Sequence, residues 1–321
     1  MIEVIYYNKI VSIVLLIILT LITTVKSKTI TSAQIFVGYL FLLSAVPLGH
    51  DTLQYYINFQ SGFISNYSII WNLMNKLPNF FLMYIIVFFI IIYSFAKLVR
   101  GYHYSSLLFY ILIITPSLGL EYTSILRQGL ATAFVVLLFL NRSRITLFAM
   151  ALLSHSSGAS SFIILNNKIK FGLLFITPLI LFTDIGNSYL IEVYERLTYL
   201  VVHYLINVQN SITSGRFLFA YWSIILSMFC MMSFRIFSKR KSILCLYLVL
   251  TTWMLYFILF NIEPVSVRII WMFLPILLLK ISHLVQPYKL NWIFISSMSF
   301  TMAFVHILNA KGYYWLGKYE I

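Results

Sequence analysis

The feature that most constrains this chain is a series of long apolar stretches separated by short polar connections. Their approximate bounds are residues 9–25, 31–49, 78–97, 104–119, 123–141, 145–165, 171–184, 216–234, 242–261, 267–285 and 291–309. Hydrophobic residues make up 61% of the chain and charged residues 9%, whereas a soluble domain has roughly 45–50% apolar and about 25% charged residues. Because a spanning helix needs about 20 apolar residues, we predict an all-α polytopic membrane protein of about 10 spanning helices, with residues 1–321 as a single integral membrane domain.

The distribution of charge predicts how the spans are oriented. The chain has 22 Lys and Arg residues against 8 Asp and Glu residues, and most of the basic residues cluster at alternate connections. Basic connections usually face the cytoplasm, which places the N-terminus and all the acidic residues on the outer side. The longest outer segments lie near residues 50–77 and 185–215. The second has the spacing of an amphipathic helix lying on the outer membrane surface.

One apolar stretch breaks the alternation of this topology. If residues 145–165 crossed the membrane as one helix, a basic cluster would be left on the outer side. Serines and a glycine interrupt the stretch at Ser154–Gly158, so we predict two half-helices that enter from the cytoplasm, turn there and return. An uninterrupted span is the alternative. Non-helical backbone at this depth is tolerated only inside protein or beside a wet cavity, so the turn is expected to line one.

Three arginines open apolar helices at their predicted outer ends: Arg127, Arg216 and Arg268. Ionisable residues at membrane depth are costly and usually functional, although a single arginine can also snorkel to lipid headgroups. The guanidinium fork fits phosphate oxygens, and a helix N-terminus adds free N–H groups and partial positive charge. The sequence therefore predicts an outer anion site suited to a lipid-linked pyrophosphate.

Four further residues are candidates for the same site. His155 can exchange a proton near neutral pH, or it can be a hydrogen-bonded packing residue. Asp51 and Glu263 are the other candidate bases, or structural partners of the arginines. Tyr55 belongs first to the aromatic residues of the membrane interface, and its ring could also stack on a sugar. The chain has no Gly-rich phosphate loop, HExxH or CxxC motif, so we predict neither a cofactor nor a metal site.

Five short motifs follow one another along most of the chain. They are Gly49-His-Asp51…Tyr55-Tyr56, Arg127-Gln128-Gly-Leu-Ala131, Leu153-Ser-His155-Ser-Ser157, Arg216…Tyr221 and Arg268…Pro275. Together with the aromatic tail Tyr313-Tyr-Trp315…Tyr319, their order resembles the EpsG family of Wzy-type polysaccharide polymerases. The resemblance implies a metal-independent glycosyltransferase that is an integral protein of the bacterial inner membrane and has a periplasmic active site.

The resemblance also implies a substrate and a set of partners. Such enzymes move a growing glycan from undecaprenyl pyrophosphate to a newly flipped, lipid-linked repeat unit during assembly of O-antigen, capsule or exopolysaccharide. The implied partners are the undecaprenyl-pyrophosphate-linked donor and acceptor, the lipid bilayer and a chain-length regulator. No nucleic acid is implied.

The residues and the resemblance together assign roles within the predicted site. The three arginines are expected to hold the pyrophosphate and to stabilise the charge that grows on it as the glycosidic bond breaks. His155 is the expected general base for the acceptor hydroxyl, and Asp51 is the alternative. The residues expected to bind substrate are Gln128, Tyr55, Glu263 and Tyr221.

Two other functions stay open on the sequence. A flippase or other transporter would bind the same lipid-linked substrate, and arginines would suit it as well. The chain shows no internal repeat and confines its acidic residues to one side, whereas alternating access needs a site near the midplane. A membrane O-acyltransferase would also use an intramembrane histidine and would need a route for an acyl donor.

Overall fold

The structure is a computed structural model. It describes residues 2–25, 28–48, 52–61, 69–74, 76–115, 119–120, 122, 126–141, 143–155, 158, 161, 164–165, 272–276, 278–279 and 289–310. The chain divides into two compact units, Met1–Ile163 together with Trp271–Ile321, and Ile164–Ile270. Every helix named below belongs to the first unit. The described residues are mostly helical and include no strand.

The longer helices coincide with the apolar stretches of the sequence. In chain order the helices are α1 (Ile2–Val25), α2 (Ser32–Ala45), α3 (Thr52–Gln60), α4 (Ile69–Met74), α5 (Phe80–Val99), α6 (Ser105–Ile114), α7 (Leu126–Leu140), α8 (Ile145–Ser154) and α9 (Lys289–Asn309). A short 3-10 turn, Val46–Leu48, continues α2. Residues 272–276 and 278–279 are also helical. The stretches predicted at 171–184, 216–234 and 242–261, and the outer segment at 185–215, lie outside the described residues.

Two of the described helices are long and apolar enough to cross a membrane. They are Tyr7–Val25, within α1, and Phe80–Val99, which is α5; they contain 19 and 20 residues. At about 1.5 Å per residue each is about 30 Å long, which matches the hydrocarbon core of a bilayer. The total of about 10 spans and the single membrane domain stay predictions.

Helix α6 ends earlier than its apolar stretch predicts. The last helical residue is Ile114, and Thr115 has an extended backbone (φ −63°, ψ 125°). Pro116 follows in the sequence, and the residue before a proline is disfavoured in the helical conformation. Gly119 then packs so close to the chain that a Cβ there would lie 2.5 Å from the Ile113 carbonyl oxygen. Helix α6 is therefore only about 15 Å long.

Helices α1 and α7 differ in how much of their surface is covered. One side of α1 is buried at Leu16 and Leu19, whereas large apolar side chains on its other side, such as Val14 and Leu21, are about half exposed. In α7 every residue from Gln128 to Val136 is buried. A helix that is apolar and covered on all sides is a central helix, and one with a single covered side is peripheral.

Contacts near the start of α1 show which helix ends meet. Helix α1 packs against α2, α6 and α9. The Lys9 ammonium donates a hydrogen bond to the Leu308 carbonyl near the end of α9 (2.8 Å). The Ser12 and Ser44 hydroxyls, 2.9 Å apart, join the start of α1 to the end of α2. In the topology that we derived from charge, these three ends lie on the same side.

The opposite end of this helix group is held by a buried network around Gln34. The Gln34 Nε2 donates to the Thr23 hydroxyl (2.9 Å) and to the Ser106 carbonyl (2.8 Å). Its Oε1 accepts from the Ser106 hydroxyl (2.9 Å), and the Thr23 hydroxyl donates to the Leu19 carbonyl (2.7 Å). The network joins α1, α2 and α6, and a buried network with its groups satisfied makes the packing more rigid and more specific.

Candidate functional site

Arg127 is one of the predicted site residues that the structure describes, and it is the second residue of the central helix α7. Its side chain is partly exposed, but its Nε is buried and has no hydrogen-bond partner among the described residues. A buried donor without a partner costs roughly 1–3 kcal/mol, so an acceptor placed there would be bound favourably. The helix N-terminus adds partial positive charge at the same place. These features suit an anion.

An aromatic ring from α3 lies beside the guanidinium of Arg127. The guanidinium carbon is 6.0 Å from the centroid of the Tyr55 ring, which is within the range of a cation–π interaction. Tyr55 is buried, and α3 is fixed at its start because the Thr52 hydroxyl donates to the Val46 carbonyl (2.8 Å). The structure thus brings together Arg127 and Tyr55, which the sequence analysis assigned to one site although they are far apart in the chain.

Helix α3 also packs on the start of α5 through aromatic rings. The Tyr56 and Phe59 rings lie 5.3 Å and 5.6 Å from the Phe80 ring. Phe80 in turn lies 5.1 Å from Tyr84 in an edge-to-face arrangement, a geometry that aromatic pairs favour. Helix α3 therefore forms a cover over the starts of α5 and α7.

The start of α7 is set back from the start of α5. Gly129 packs so closely that an added Cβ would lie 3.0 Å from the Ile91 side chain and 2.7 Å from the Tyr122 Cβ. At 1.5 Å per residue, Ile91 lies roughly 16 Å along α5 from Phe80. Arg127 precedes Gly129 by two residues, or about 3 Å, so it lies roughly 13 Å below the first residue of α5. The guanidinium is therefore recessed beneath α3.

A buried hydroxyl further along α7 is a polar group that the sequence did not indicate as part of a site. Gln128 and Thr132 are both buried, and their spacing of four residues puts them on one side of α7. The Thr132 Oγ1 has no hydrogen-bond partner among the described residues, although a helical threonine can donate to the carbonyl four residues earlier. Thr132 thus offers a second polar group for a ligand or a water molecule. No local pattern in the sequence marks Thr132, because whether a partner reaches its hydroxyl depends on how other helices pack against α7.

Helix α8 ends at the break that the sequence predicts. Its last residue is Ser154, and His155 is extended (φ −158°, ψ 139°), with its N–H donating to the Ala151 carbonyl (3.2 Å). The Gly158 N–H donates to the His155 carbonyl (2.8 Å), and a Cβ at Gly158 would overlap the Ala151 carbonyl. The chain therefore turns back over the end of α8 at a position that only glycine fits. The predicted returning half-helix lies largely outside the described residues.

Helices α7 and α8 form a hairpin that puts Arg127 and His155 at neighbouring ends. The two helices pack against each other, and the short connection between them makes them antiparallel. Counted from that connection, His155 is level with Leu130, which lies about 5 Å along the axis from Arg127. The His155 side chain is partly exposed. A guanidinium and an imidazole thus lie at similar depth in the first unit.

The remaining predicted site residues lie outside the described part of the chain. They are Asp51, Arg216, Tyr221, Glu263 and Arg268. The convergence of three arginines on one cavity therefore stays a prediction. Within the described residues, no group of three His, Cys, Asp or Glu side chains comes together as a metal site.

Comparison with known proteins adds no family to this geometry. No family model, no curated protein and no solved structure matches the chain. The resemblance to the EpsG family is therefore carried by the sequence motifs alone.

Proposed function

We propose that this chain is a multi-pass glycosyltransferase of the bacterial inner membrane that polymerises undecaprenyl-pyrophosphate-linked repeat units on the periplasmic side. The product would be O-antigen or a related surface polysaccharide. The observation that carries the proposal is the arrangement at the start of α7, where the Arg127 Nε has no hydrogen-bond partner among the described residues and the guanidinium carbon lies 6.0 Å from the centroid of the Tyr55 ring. It supports a phosphate bound beside a sugar, because the guanidinium fork fits phosphate oxygens and an aromatic face can stack on a sugar ring.

The membrane location is supported by the apolar surface of the peripheral helices. Large apolar side chains are exposed along α1, as at Val14 and Leu21, and along α5, as at Phe81 and Phe89. Exposed apolar surface that is contiguous is rare on soluble monomers and usually marks an interaction or membrane site, and lipid chains cover such a surface without loss. The two helices long enough to span a bilayer are the ones that carry these patches.

A re-entrant pair at residues 145–165 belongs to the same proposal. Helix α8 has 10 residues, so it is about 15 Å long and reaches only halfway across the hydrocarbon core. Its end at His155 would then lie within the bilayer. Irregular backbone at that depth is stable inside protein or beside a wet cavity, and a wet cavity gives His155 access to substrate.

The proposed reaction joins the anomeric carbon of the donor glycan to a hydroxyl of the acceptor. The bond from that carbon to the pyrophosphate breaks, and undecaprenyl pyrophosphate leaves with its bonding electrons. Arg127, together with Arg216 and Arg268, stabilises the negative charge that grows on the leaving group. His155 accepts the proton of the attacking hydroxyl, with Asp51 as the alternative base. The charge stabilisation comes from side chains already in place.

Replacing Arg127 by lysine tests this proposal, because lysine keeps the charge and loses the planar fork. In cells that lack the native gene, Arg127→Lys should lower polymerisation by about a hundredfold. The surface glycan should then consist of single repeat units at normal protein levels, as measured by electrophoresis of the polysaccharide. The matched control is Arg144→Lys, at an exposed arginine just before α8, which should give full-length polymer.

Each other outcome of this experiment has a distinct meaning. Full-length polymer from both Arg127→Lys and Arg127→Ala would refute the proposed site. Loss of all surface glycan, including single units, would indicate a flippase. Polymer of normal length that lacks ester-linked acyl groups would indicate an O-acyltransferase.

A further inference from the structure

Helix α5 carries a straight apolar ridge on its exposed side. Large exposed side chains recur there at every fourth residue: Phe81, Ile85, Phe89 and Tyr93. Side chains four residues apart lie one above the other on a helix. The opposite side of α5 is buried, so the ridge is the uncovered surface of this helix.

Cationic side chains gather at the C-terminal end of the ridge. Lys97 is the next residue in the series, and its Nζ lies 5.6 Å from the centroid of the Tyr93 ring. Arg100 is exposed three residues later. The Lys28 carbonyl accepts from the Ser105 N–H (3.2 Å) and hydroxyl (3.1 Å), which brings a third exposed cation to the same end of the helix group. Within the described part of the chain, these three cations form no ion pair.

We propose that the ridge and its cationic end bind an anionic phospholipid, with the phosphate at Lys97 and Arg100 and an acyl chain along Phe89 and Ile85. Charged donors form strong hydrogen bonds to phosphate oxygens, and the arginine can do so with two parallel bonds. The Tyr93 ring lies where the charged and apolar parts meet, as aromatic rings do at a membrane interface. A free phosphate would use the cations and leave the apolar ridge uncovered. This site is separate from the recess at Arg127.

Binding of lipids to the full-length protein in dodecyl maltoside tests the proposal. Native mass spectrometry with phosphatidylglycerol and phosphatidylcholine should show a preference for the anionic lipid. The affinity for phosphatidylglycerol should fall roughly tenfold or more in the Lys97→Gln/Arg100→Gln double variant, because each basic residue near an anionic headgroup adds to binding. The matched control is Lys76→Gln, at an exposed lysine just before the start of α5, which should bind like the unaltered protein.

Several outcomes would overturn this inference. Equal affinity in the double variant and the unaltered protein would remove Lys97 and Arg100 from the site. Equal binding of the two lipids would remove the role of charge. Glycerol 1-phosphate, which carries the headgroup phosphate without acyl chains, should not displace the bound lipid; displacement at equal concentration would assign the cations to a free phosphate. Phe89→Ser should weaken binding, and an unchanged affinity would exclude the ridge.

Discussion

Two regions of this molecule bury polar side chains among apolar helices, and they treat those groups differently. The Gln34 amide donates to the Thr23 hydroxyl and to the Ser106 carbonyl and accepts from the Ser106 hydroxyl, so the network is complete. In the first half of α7, Arg127 Nε and Thr132 Oγ1 are buried with no hydrogen-bond partner among the described residues. A satisfied network contributes stability, whereas an unsatisfied group lowers it and persists where a ligand or water completes it. The first region therefore holds helices together, and the second is the region at which we propose that substrate binds.

The two regions also differ in how firmly their residues are fixed. Gln34 is held by its backbone as well as its side chain, because its N–H donates to the hydroxyl of Thr31, the N-cap of α2 (3.2 Å). The Arg127 guanidinium is neighboured instead by the Tyr55 ring at 6.0 Å. A cation–π contact of this length leaves the guanidinium donors available. An incoming anion can therefore bind Arg127 without first breaking a hydrogen bond to Tyr55.

The largest expected difference in stability is between a variant of Gln34 and a variant of Arg127. Gln34→Leu leaves the Ser106 hydroxyl without its acceptor, so we expect a loss of about 1–3 kcal/mol in the free energy of unfolding. Arg127→Leu removes a donor that has no hydrogen-bond partner among the described residues and loses only the cation–π contact to Tyr55, so the free energy of unfolding should fall by less than about 1 kcal/mol or rise. Circular dichroism during denaturation in detergent measures both. The comparison fails if Arg127→Leu destabilises the protein as much as Gln34→Leu does.

A smaller effect should come from the turn after α8. In Gly158→Ala the new Cβ overlaps the Ala151 carbonyl, and backbone cannot shift cheaply, so we expect a loss of about 1–2 kcal/mol. The control is Gly38→Ala, whose Cβ would meet side-chain atoms alone, of Phe109 at 3.3 Å and of Ile113 at 3.8 Å. This variant should unfold at nearly the original temperature. Identical unfolding temperatures for the two variants would show that the close packing at Gly158 is unimportant.

The smallest and sharpest comparison uses two buried threonines. Thr23→Val breaks a bond to Gln34 and should lower the free energy of unfolding by about 0.5–1 kcal/mol, the usual size for a hydrogen bond between membrane helices. Thr132→Val loses no hydrogen bond within the described residues, so its stability should be unchanged or slightly higher. The same denaturation experiment measures both variants. Equal losses would mean that the Thr132 hydroxyl is satisfied in the folded protein.

The sequence predicts the helices better than their ends, and the ends better than the buried contacts. Apolar length alone located the described long helices, and the serines with Gly158 located the end of α8. Helix α6 ends at Ile114, before the end of its apolar stretch near residue 119, because apolar composition does not register the effect of Pro116 on Thr115.

The buried contacts of the two compared regions show why the remainder was not predictable. The sequence indicated Arg127 for its charge at membrane depth and Tyr55 for its aromatic ring at the membrane interface. Each residue also had a non-functional interpretation, as an arginine that snorkels to headgroups and as part of the interfacial aromatic belt. The importance of Gln34 and Thr132 depends on whether a partner from another helix reaches them. Whether a partner is present depends on how helices that are far apart in the sequence pack together, and no local pattern of residues encodes this packing.

The hydrogen bond between Lys9 and the Leu308 carbonyl has a consequence for biogenesis, because it joins residues 299 positions apart. At a synthesis rate of 5–20 residues per second, α1 leaves the ribosome about 15–60 s before α9 does. During that interval the Lys9 ammonium has to be solvated by water or by lipid headgroups. The contact between α1 and α9 therefore forms late in the assembly of the protein.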